Sequence, residues 1–139
     1  MPAFPPPVPG DIVYCRFPEE EVGKPGAKPR PALVTGLVRF DDGTVGVVVA
    51  YGTSQRVDQL HSGEFAIVPG DGEPYVAAGL SFPTKFDLRR RVPLPYNDAW
   101  FRVPPRPAFG QTPKMGTLHA SLMKRATAAF EAIARLENS

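Results

Sequence analysis

The sequence predicts a mainly β protein with an appended α-helix, arranged as a small partly open barrel. Short apolar segments typical of β-strands recur between turns rich in glycine, aspartate and proline. The 18 prolines exclude long helices from most of the chain, since proline is not tolerated inside helices. Helical spacing of apolar residues occurs near the end, at Leu118, Leu122, Ala126, Phe130 and Ile133. Five or six short strands with tight turns and one terminal helix favour a barrel.

The 139 residues are most simply one domain, and its parts follow in chain order. Residues 1–9 predict an extended, partly polyproline-like arm. Residues 10–101 form the barrel core, with strands expected at 10–17, 32–40, 44–51, 64–68 and 84–92. The turn Asp41-Asp42-Gly43 supplies hairpin chemistry between the second and third strands.

The last part of the chain is expected to wrap the core. The prolines between residues 93 and 113 leave no regular structure there, and Trp100 and Phe101 are expected to pin this stretch to the core. Residues 102–116 are a proline-rich linker, and 117–137 form the C-terminal helix. Thr117 follows a glycine and is the expected N-cap of that helix.

The composition excludes several kinds of site. The single cysteine, Cys15, cannot form an internal disulfide or a cysteine-based zinc site, and its place within a strand favours a core residue over a nucleophile. His61 and His119 are far apart and lack an accompanying pattern of ligands, so no metal and no cofactor is expected. The chain has neither a glycine-rich phosphate loop before a helix nor a G-x-S-x-G motif.

Apolar patterning and charge give expectations about location and partners. No apolar run has the length of a membrane span, and residues 1–9 lack the basic and apolar regions of a signal peptide. With one unpaired cysteine, a cytoplasmic protein that does not interact with membranes is expected. The net charge of +2 is too small to indicate a partner, although acidic residues cluster at 19–21 and basic residues at 89–91.

The most informative stretch is Lys28-Pro29-Arg30-Pro31-Ala32-Leu33-Val34. The two prolines stiffen the backbone on both sides of Arg30, and the apolar residues that follow predict a buried strand. A guanidinium held in this way loses little entropy on binding and can grip a phosphate through two parallel hydrogen bonds. The alternative is an ordinary loop arginine beside turn prolines.

The surrounding motifs resemble the PemK/MazF toxin family, the ribonuclease components of bacterial toxin–antitoxin pairs. The first match is the order GDIV (10–13), FP (17–18), a loop, and KPRPALV (28–34). The second is a valine-rich strand that ends in Thr53-Ser54-Gln55, like the family's strand ending in Thr-x-Gln. A looser third match covers residues 78–86, and the resemblance as a whole spans roughly residues 10–101.

The resemblance implies an SH3-like barrel, usually paired as a homodimer, that is neutralised by an antitoxin protein. It assigns the family's catalytic arginine and threonine to Arg30 and Thr53. Such enzymes cleave single-stranded RNA without a metal ion, because the ribose 2′-hydroxyl attacks its own phosphate. Arg30 would stabilise the charge that builds on the phosphate and could also donate a proton, but it is not expected to be the base, since an arginine is effectively never deprotonated. His61 or a loop glutamate could be the base, and Glu21 is nearest to the family's acidic loop position.

Six further residues are candidates for RNA binding. Gln55 has the chemistry to read a base edge, Lys85 matches the family's later basic position, and Arg89 and Arg91 are expected to share the face of Lys85 and follow the RNA backbone. Lys28 and Ser54 flank the two catalytic candidates. The alternative for each of these basic residues is an ordinary position on the surface. The alternative for Thr53 is a hydrogen bond that stabilises the turn at the end of its strand.

Two other functions remain open at this point. One is a non-catalytic binding protein on the same fold, similar to the CcdB-like toxins that poison DNA gyrase. The other is a degenerate family member that acts only as a regulator or scaffold. The pair of Arg30 and Thr53 favours RNA cleavage, since gyrase binding does not require it. Residues 57–65 and the proline-rich stretch at 93–113 depart from the family pattern, which bears on activity more than on fold.

Overall fold

The computed structural model describes residues 3–21 and 23–137, and in these ranges it contains six β-strands and two α-helices. The strands are β1 (Asp11–Cys15), β2 (Arg30–Arg39), β3 (Val45–Thr53), β4 (Glu64–Ile67), β5 (Thr84–Pro95) and β6 (Lys114–Thr117). The helices are α1 (Glu73–Ala77) and α2 (Met123–Glu137), and they follow 3-10 turns at Pro69–Asp71 and Ala120–Leu122. The strands form one antiparallel sheet in the order β4-β5-β3-β2-β1-β6.

The sheet curls into a partly open half-barrel, so the predicted fold class, mainly β with an appended C-terminal helix, is confirmed. Successive strand residues point to opposite faces, and each face therefore buries its own apolar cluster. On one face, Leu33 and Ala50 belong to the cluster that packs against α2. On the other face, Ala32 and Val49 belong to a second cluster, which includes Cys15.

The proline-rich arm and the segment after β5 cover this second cluster. The backbone N–H of Phe4 donates to the carbonyl of Tyr96 over 3.0 Å, and the two rings meet edge to face at 5.8 Å. Phe101 is fully buried and pairs with Cys15, and Trp100 packs against the same cluster. Residues 4–8 of this arm contain neither strand nor helix, and its first two residues lie outside the described ranges; the anchoring role of Trp100 and Phe101 is confirmed.

Two predicted boundaries near the C-terminus are wrong. The expected linker, residues 102–116, contains most of β6, which pairs with β1. Because Thr117 is the last residue of that strand, it does not cap the helix, and α2 begins at Met123. His119 caps the 3-10 turn that precedes α2, since its Nδ1 accepts a hydrogen bond from the backbone N–H of Ser121 over 3.1 Å.

Strand β5 and helix α1 also differ from expectation. The prediction ended the strand at residue 92, but β5 continues through Pro93 to Pro95. Because β4 pairs only with the first part of β5, residues 84–87, the later part of β5 lies at an edge of the sheet, where proline is tolerated. Helix α1 was not predicted. Within the described residues, no helix is both long and apolar enough to cross a membrane.

Candidate active site

Arg30 and Thr53 lie at neighbouring strand ends, where the rigid proline segment meets the sheet. Strands β2 and β3 pair Ala32 with Tyr51, and continuing this antiparallel register by two residues sets Arg30 opposite Thr53. Opposite residues in antiparallel strands present their side chains on the same face. Both residues line a cavity of about 230 Å³. The structure therefore brings the two catalytic candidates together.

The cavity has walls of mixed character, with both polar and apolar side chains around Arg30 and Thr53. Gly52 also lines it, and a side chain there would overlap the carbonyl of Pro31. The other residues that line it are Tyr14, Pro29, Pro31, Ser54, Ser81, Phe82, Thr84 and Met115. Phe82 is 67% exposed at this site, so the cavity opens to solvent beside an aromatic ring.

Glu19 is the carboxylate of this site. Its Oε1 lies 2.6 Å from Nε of Arg30, and the same oxygen accepts a hydrogen bond from the Tyr51 hydroxyl over 2.7 Å. The side chains of Arg30 and Glu19 are 33% and 22% exposed, so the pair is partly screened by solvent. The contact is an ion pair without hydrogen-bond geometry, since Nε of Arg30 is buried and has no hydrogen-bond partner among the described residues.

Tyr51 links Glu19 to the threonine. Burial is the largest cause that raises the pKa of Tyr51, and the hydrogen bond to Glu19 raises it further. A hydrogen bond with the Thr53 side chain acts in the opposite direction and lowers that pKa. The Thr53 hydroxyl also accepts from the backbone N–H of Gln55 over 3.1 Å. Tyr51, Glu19 and Arg30 thus contact one another in sequence, and Thr53 lies beside Tyr51.

Three of the predicted RNA-binding residues lie near the side chains of Arg30, Glu19 and Thr53. Ser54 lines the cavity with Arg30 and Thr53, and Gln55 is exposed immediately after it. Lys28 is exposed and lines a neighbouring cavity of about 530 Å³, to which Arg30 and Glu19 also contribute.

Of the candidate bases, Glu21 lines this second cavity as well, but its carboxylate pairs with Lys24 at 3.3 Å. His61 is exposed in a separate cavity between β4 and α2, away from those that Arg30 lines.

The other residues considered as reactive groups, His119 and Cys15, line neither of the cavities that Arg30 lines. His119 is at the 3-10 turn before α2, and Cys15 is buried in the core, where burial raises the pKa of its thiol. In residues 3–21 and 23–137 no three His, Cys, Asp or Glu side chains converge as a metal site requires.

The side chain of Lys85 is not available to bind RNA at the cavity of Arg30 and Thr53. It is 6% exposed, and its Nζ lies 3.1 Å from Oε1 of Glu64 and donates to the carbonyl of Gln59 over 2.8 Å. The sequence prediction placed it on an open face because β5 alternates there. Strand β4 covers that position, since Ala66 pairs directly with Lys85.

The predicted direction of Arg89 and Arg91 is also wrong, because β5 is irregular at this point. Against β3, Tyr51 pairs with Asp87 but Ala50 pairs with Arg91, so three residues of β5 bulge out between these pairs. The bulge turns Arg91 to the face of α2, where its guanidinium lies 5.1 Å from the ring centre of Phe130.

The same bulge directs the flanking arginines to different places. The stem of Arg89 lies near Gly63 and Ile133, on the α2 side. Arg90 lies toward the candidate site instead, with its guanidinium 4.1 Å from the ring centre of Tyr51.

Sequence reasoning missed Glu19, Tyr51 and Arg90. Strand alternation offered a signal for Tyr51, which precedes Thr53 by two residues and therefore shares its face. Glu19 belongs to the acidic cluster noted in the sequence, but nothing in the sequence selects it over its two neighbours. A search against protein-family models and a search of curated proteins both give no match to this chain.

The burial of Lys85 makes a prediction about stability. Lys85→Ala leaves Glu64 buried without its partner, and the free energy of unfolding should fall by about 3–5 kcal/mol. In the double variant Lys85→Met/Glu64→Gln no charge is buried and the acceptor for the His61 N–H is kept, so it should lose clearly less. Urea denaturation measures both. Lys24→Met, which removes the exposed partner of Glu21, is the control and should change stability by under about 1 kcal/mol.

Proposed function

We propose that this protein is a metal-independent endoribonuclease that cleaves single-stranded RNA, and that it is the toxin of a toxin–antitoxin pair in the cytoplasm. The observation that carries the proposal is the cavity shared by Arg30 and Thr53, with Glu19 in contact with Arg30. The resemblance of residues 10–101 to the PemK/MazF family points to the same chemistry.

Arg30 would bind the phosphate that is cleaved. Glu19 lies beside Nε as a counter-charge, and the terminal Nη groups would donate two hydrogen bonds to the non-bridging oxygens. Negative charge on these oxygens grows toward the transition state, and a guanidinium already held in place stabilises that charge without reorganising. The Thr53 hydroxyl, which accepts from the backbone N–H of Gln55, would donate a further hydrogen bond to the phosphate.

Glu19 is the best-placed base for the 2′-hydroxyl. It is the carboxylate in direct contact with Arg30, whereas Glu21 pairs with Lys24 and His61 lies in another cavity. In the proposed step, the 2′-oxygen gives its proton to Glu19 and bonds to phosphorus, while the bond from phosphorus to the 5′-oxygen breaks. The 5′-oxygen takes a proton from water, the protonated Glu19 returns its proton to the hydroxide that this leaves, and the products are a 2′,3′-cyclic phosphate and a 5′-hydroxyl end.

Contacts to the rest of the RNA come from residues near this cavity. Lys28 would bind the backbone, and Ser54 and Gln55 would meet the nucleotide beside the cleaved phosphate. Lys85, Arg89 and Arg91 are left out of this proposal, because the first is buried in an ion pair and the other two lie toward α2.

Cleavage of RNA is the direct test of the proposal. Purified protein should cleave an unstructured RNA in the presence of EDTA and leave a 2′,3′-cyclic phosphate, which mass spectrometry of the fragments detects. Arg30→Ala should lower the rate about 10²–10³-fold, the usual scale for losing one preorganised electrostatic donor. Arg30→Lys should also lose most activity, because a point charge does not reproduce the guanidinium fork.

Arg39→Ala is the matched control, since Arg39 is an exposed arginine at the opposite end of β2. It should cleave at the rate of the wild-type protein. Equal cleavage by wild type and Arg30→Ala would contradict the proposed site. Absence of cleavage by the wild-type protein across a broad panel of RNA sequences would instead favour the non-catalytic binding protein.

We further expect the protein to be a homodimer whose RNA groove follows the twofold interface, and to bind a cognate antitoxin protein. This expectation comes from the family resemblance and from the prevalence of twofold assembly among soluble proteins. Light scattering at micromolar concentration should give twice the 15.1 kDa mass of the chain. A monomer mass over the whole concentration range would contradict it.

A further inference from the structure

Three consecutive arginines on β5 point in different directions. Three extra residues of β5 form a bulge between the pairs Tyr51–Asp87 and Ala50–Arg91. Because three is an odd number, the side chains beyond the bulge point to the opposite face from the one that simple alternation gives. As a result Arg90 turns to the face that carries Tyr51, while Arg89 and Arg91 turn toward α2. Only one member of this basic cluster therefore lies on the face of the candidate site.

Arg90 is held in place by two aromatic rings. Its guanidinium carbon lies 4.1 Å from the ring centre of Tyr51 and 5.8 Å from that of Phe17. Phe17 and Tyr51 pack on each other with their centres 5.2 Å apart. A guanidinium at these distances is attracted by the ring face, so its position is defined without a carboxylate partner.

The ring that holds Arg90 also belongs to the site of Arg30. The Tyr51 hydroxyl donates to Glu19, and Glu19 contacts Nε of Arg30. The two guanidiniums are thus joined through one tyrosine and one glutamate. An RNA backbone bound at Arg30 would therefore have a second positively charged side chain, Arg90, on the same face.

Arg90 keeps its hydrogen-bond donors available. Stacking uses the face of the guanidinium, and the five N–H donors lie in its plane. Arg90 is exposed, and in the described part of the chain none of the ion pairs includes it. An exposed, preoriented guanidinium with unused in-plane donors suits a phosphate.

We infer that Arg90 binds an RNA phosphate next to the one held by Arg30. This inference rests on the proposed function and names a residue that sets how the strand lies across the site. The sequence expectation assigned this role to Arg89 and Arg91, and the bulge moves it to the arginine between them.

Binding of a single-stranded RNA with 2′-O-methyl riboses tests the inference, because such an RNA lacks the attacking hydroxyl and stays intact. Fluorescence anisotropy measures affinity at several salt concentrations. Arg90→Gln should weaken binding about fivefold at 0.1 M salt and reduce the slope of log K against log salt by about 0.7, the amount for one phosphate contact on a single strand. Arg91→Gln is the matched comparison, since that guanidinium also stacks on an aromatic ring but faces α2, and both values should stay at wild type.

Arg90→Lys separates charge from packing. It keeps the charge and loses the stacked guanidinium, so its salt slope should stay close to that of the wild type. If Arg90→Lys loses as much slope as Arg90→Gln, the effect comes from disturbed packing on Tyr51 and the inference is wrong. Equal slopes for wild type and Arg90→Gln, with normal RNA binding, would also overturn it and leave the proposed function standing. Absence of binding by the wild-type protein would overturn the proposed function itself.

Discussion

The carboxylate of Glu19 is the point on which the geometry of the site depends. One oxygen, Oε1, contacts Nε of Arg30 and accepts a hydrogen bond from the Tyr51 hydroxyl. It therefore connects the loop after β1 to the start of β2 and to the end of β3. In a partly exposed setting such an ion pair stabilises the fold by at most about 1 kcal/mol. Its larger effect is on position, because it keeps the guanidinium of Arg30 close to the carboxylate that also accepts the Tyr51 hydroxyl. Small errors in the placement of a reacting group are costly for catalysis, and in the proposed reaction this contact would limit them.

The bulge in β5 decides which charges surround that site. Without it, simple alternation would carry the side-chain direction of Lys85 and Asp87 on to Arg89 and Arg91. With it, Arg90 is the one that turns to Tyr51, and Arg91 stacks on α2. A local irregularity thus splits a cluster of like charges between two faces. Bulges commonly redirect side chains in this way next to functional sites.

The sequence predicted the fold class and the neighbourhood of Arg30 and Thr53 because both depend on local signals. Turn residues and apolar alternation mark strand limits, and a proline-flanked arginine marks a strand entrance. The rest depends on contacts between distant segments. The burial of Lys85 follows from the partner that β4 supplies, Glu64, which lies 21 residues away in sequence.

Other misses have the same origin. Strand β6 has four residues between prolines and loops, and only its pairing with β1 defines it. The bulge in β5 occurs in a run of arginines and not at a glycine, which is the residue that indicates a bulge within a strand pattern. Glu19 is selected over Glu20 and Glu21 by the path of the loop, to which a triplet of identical residues gives no clue.

The central claim is that the guanidinium of Arg30, held by Glu19, is where RNA phosphate binds. The most direct measurement is the NMR signal of the arginine Nε–H groups during titration with an uncleavable 2′-O-methyl RNA, with Arg30 assigned from the signal that disappears in Arg30→Lys. The account predicts a large, saturable shift of the Arg30 signal at the affinity measured for the same RNA, with no shift for Arg39. Saturation of binding with the Arg30 signal unmoved would contradict it.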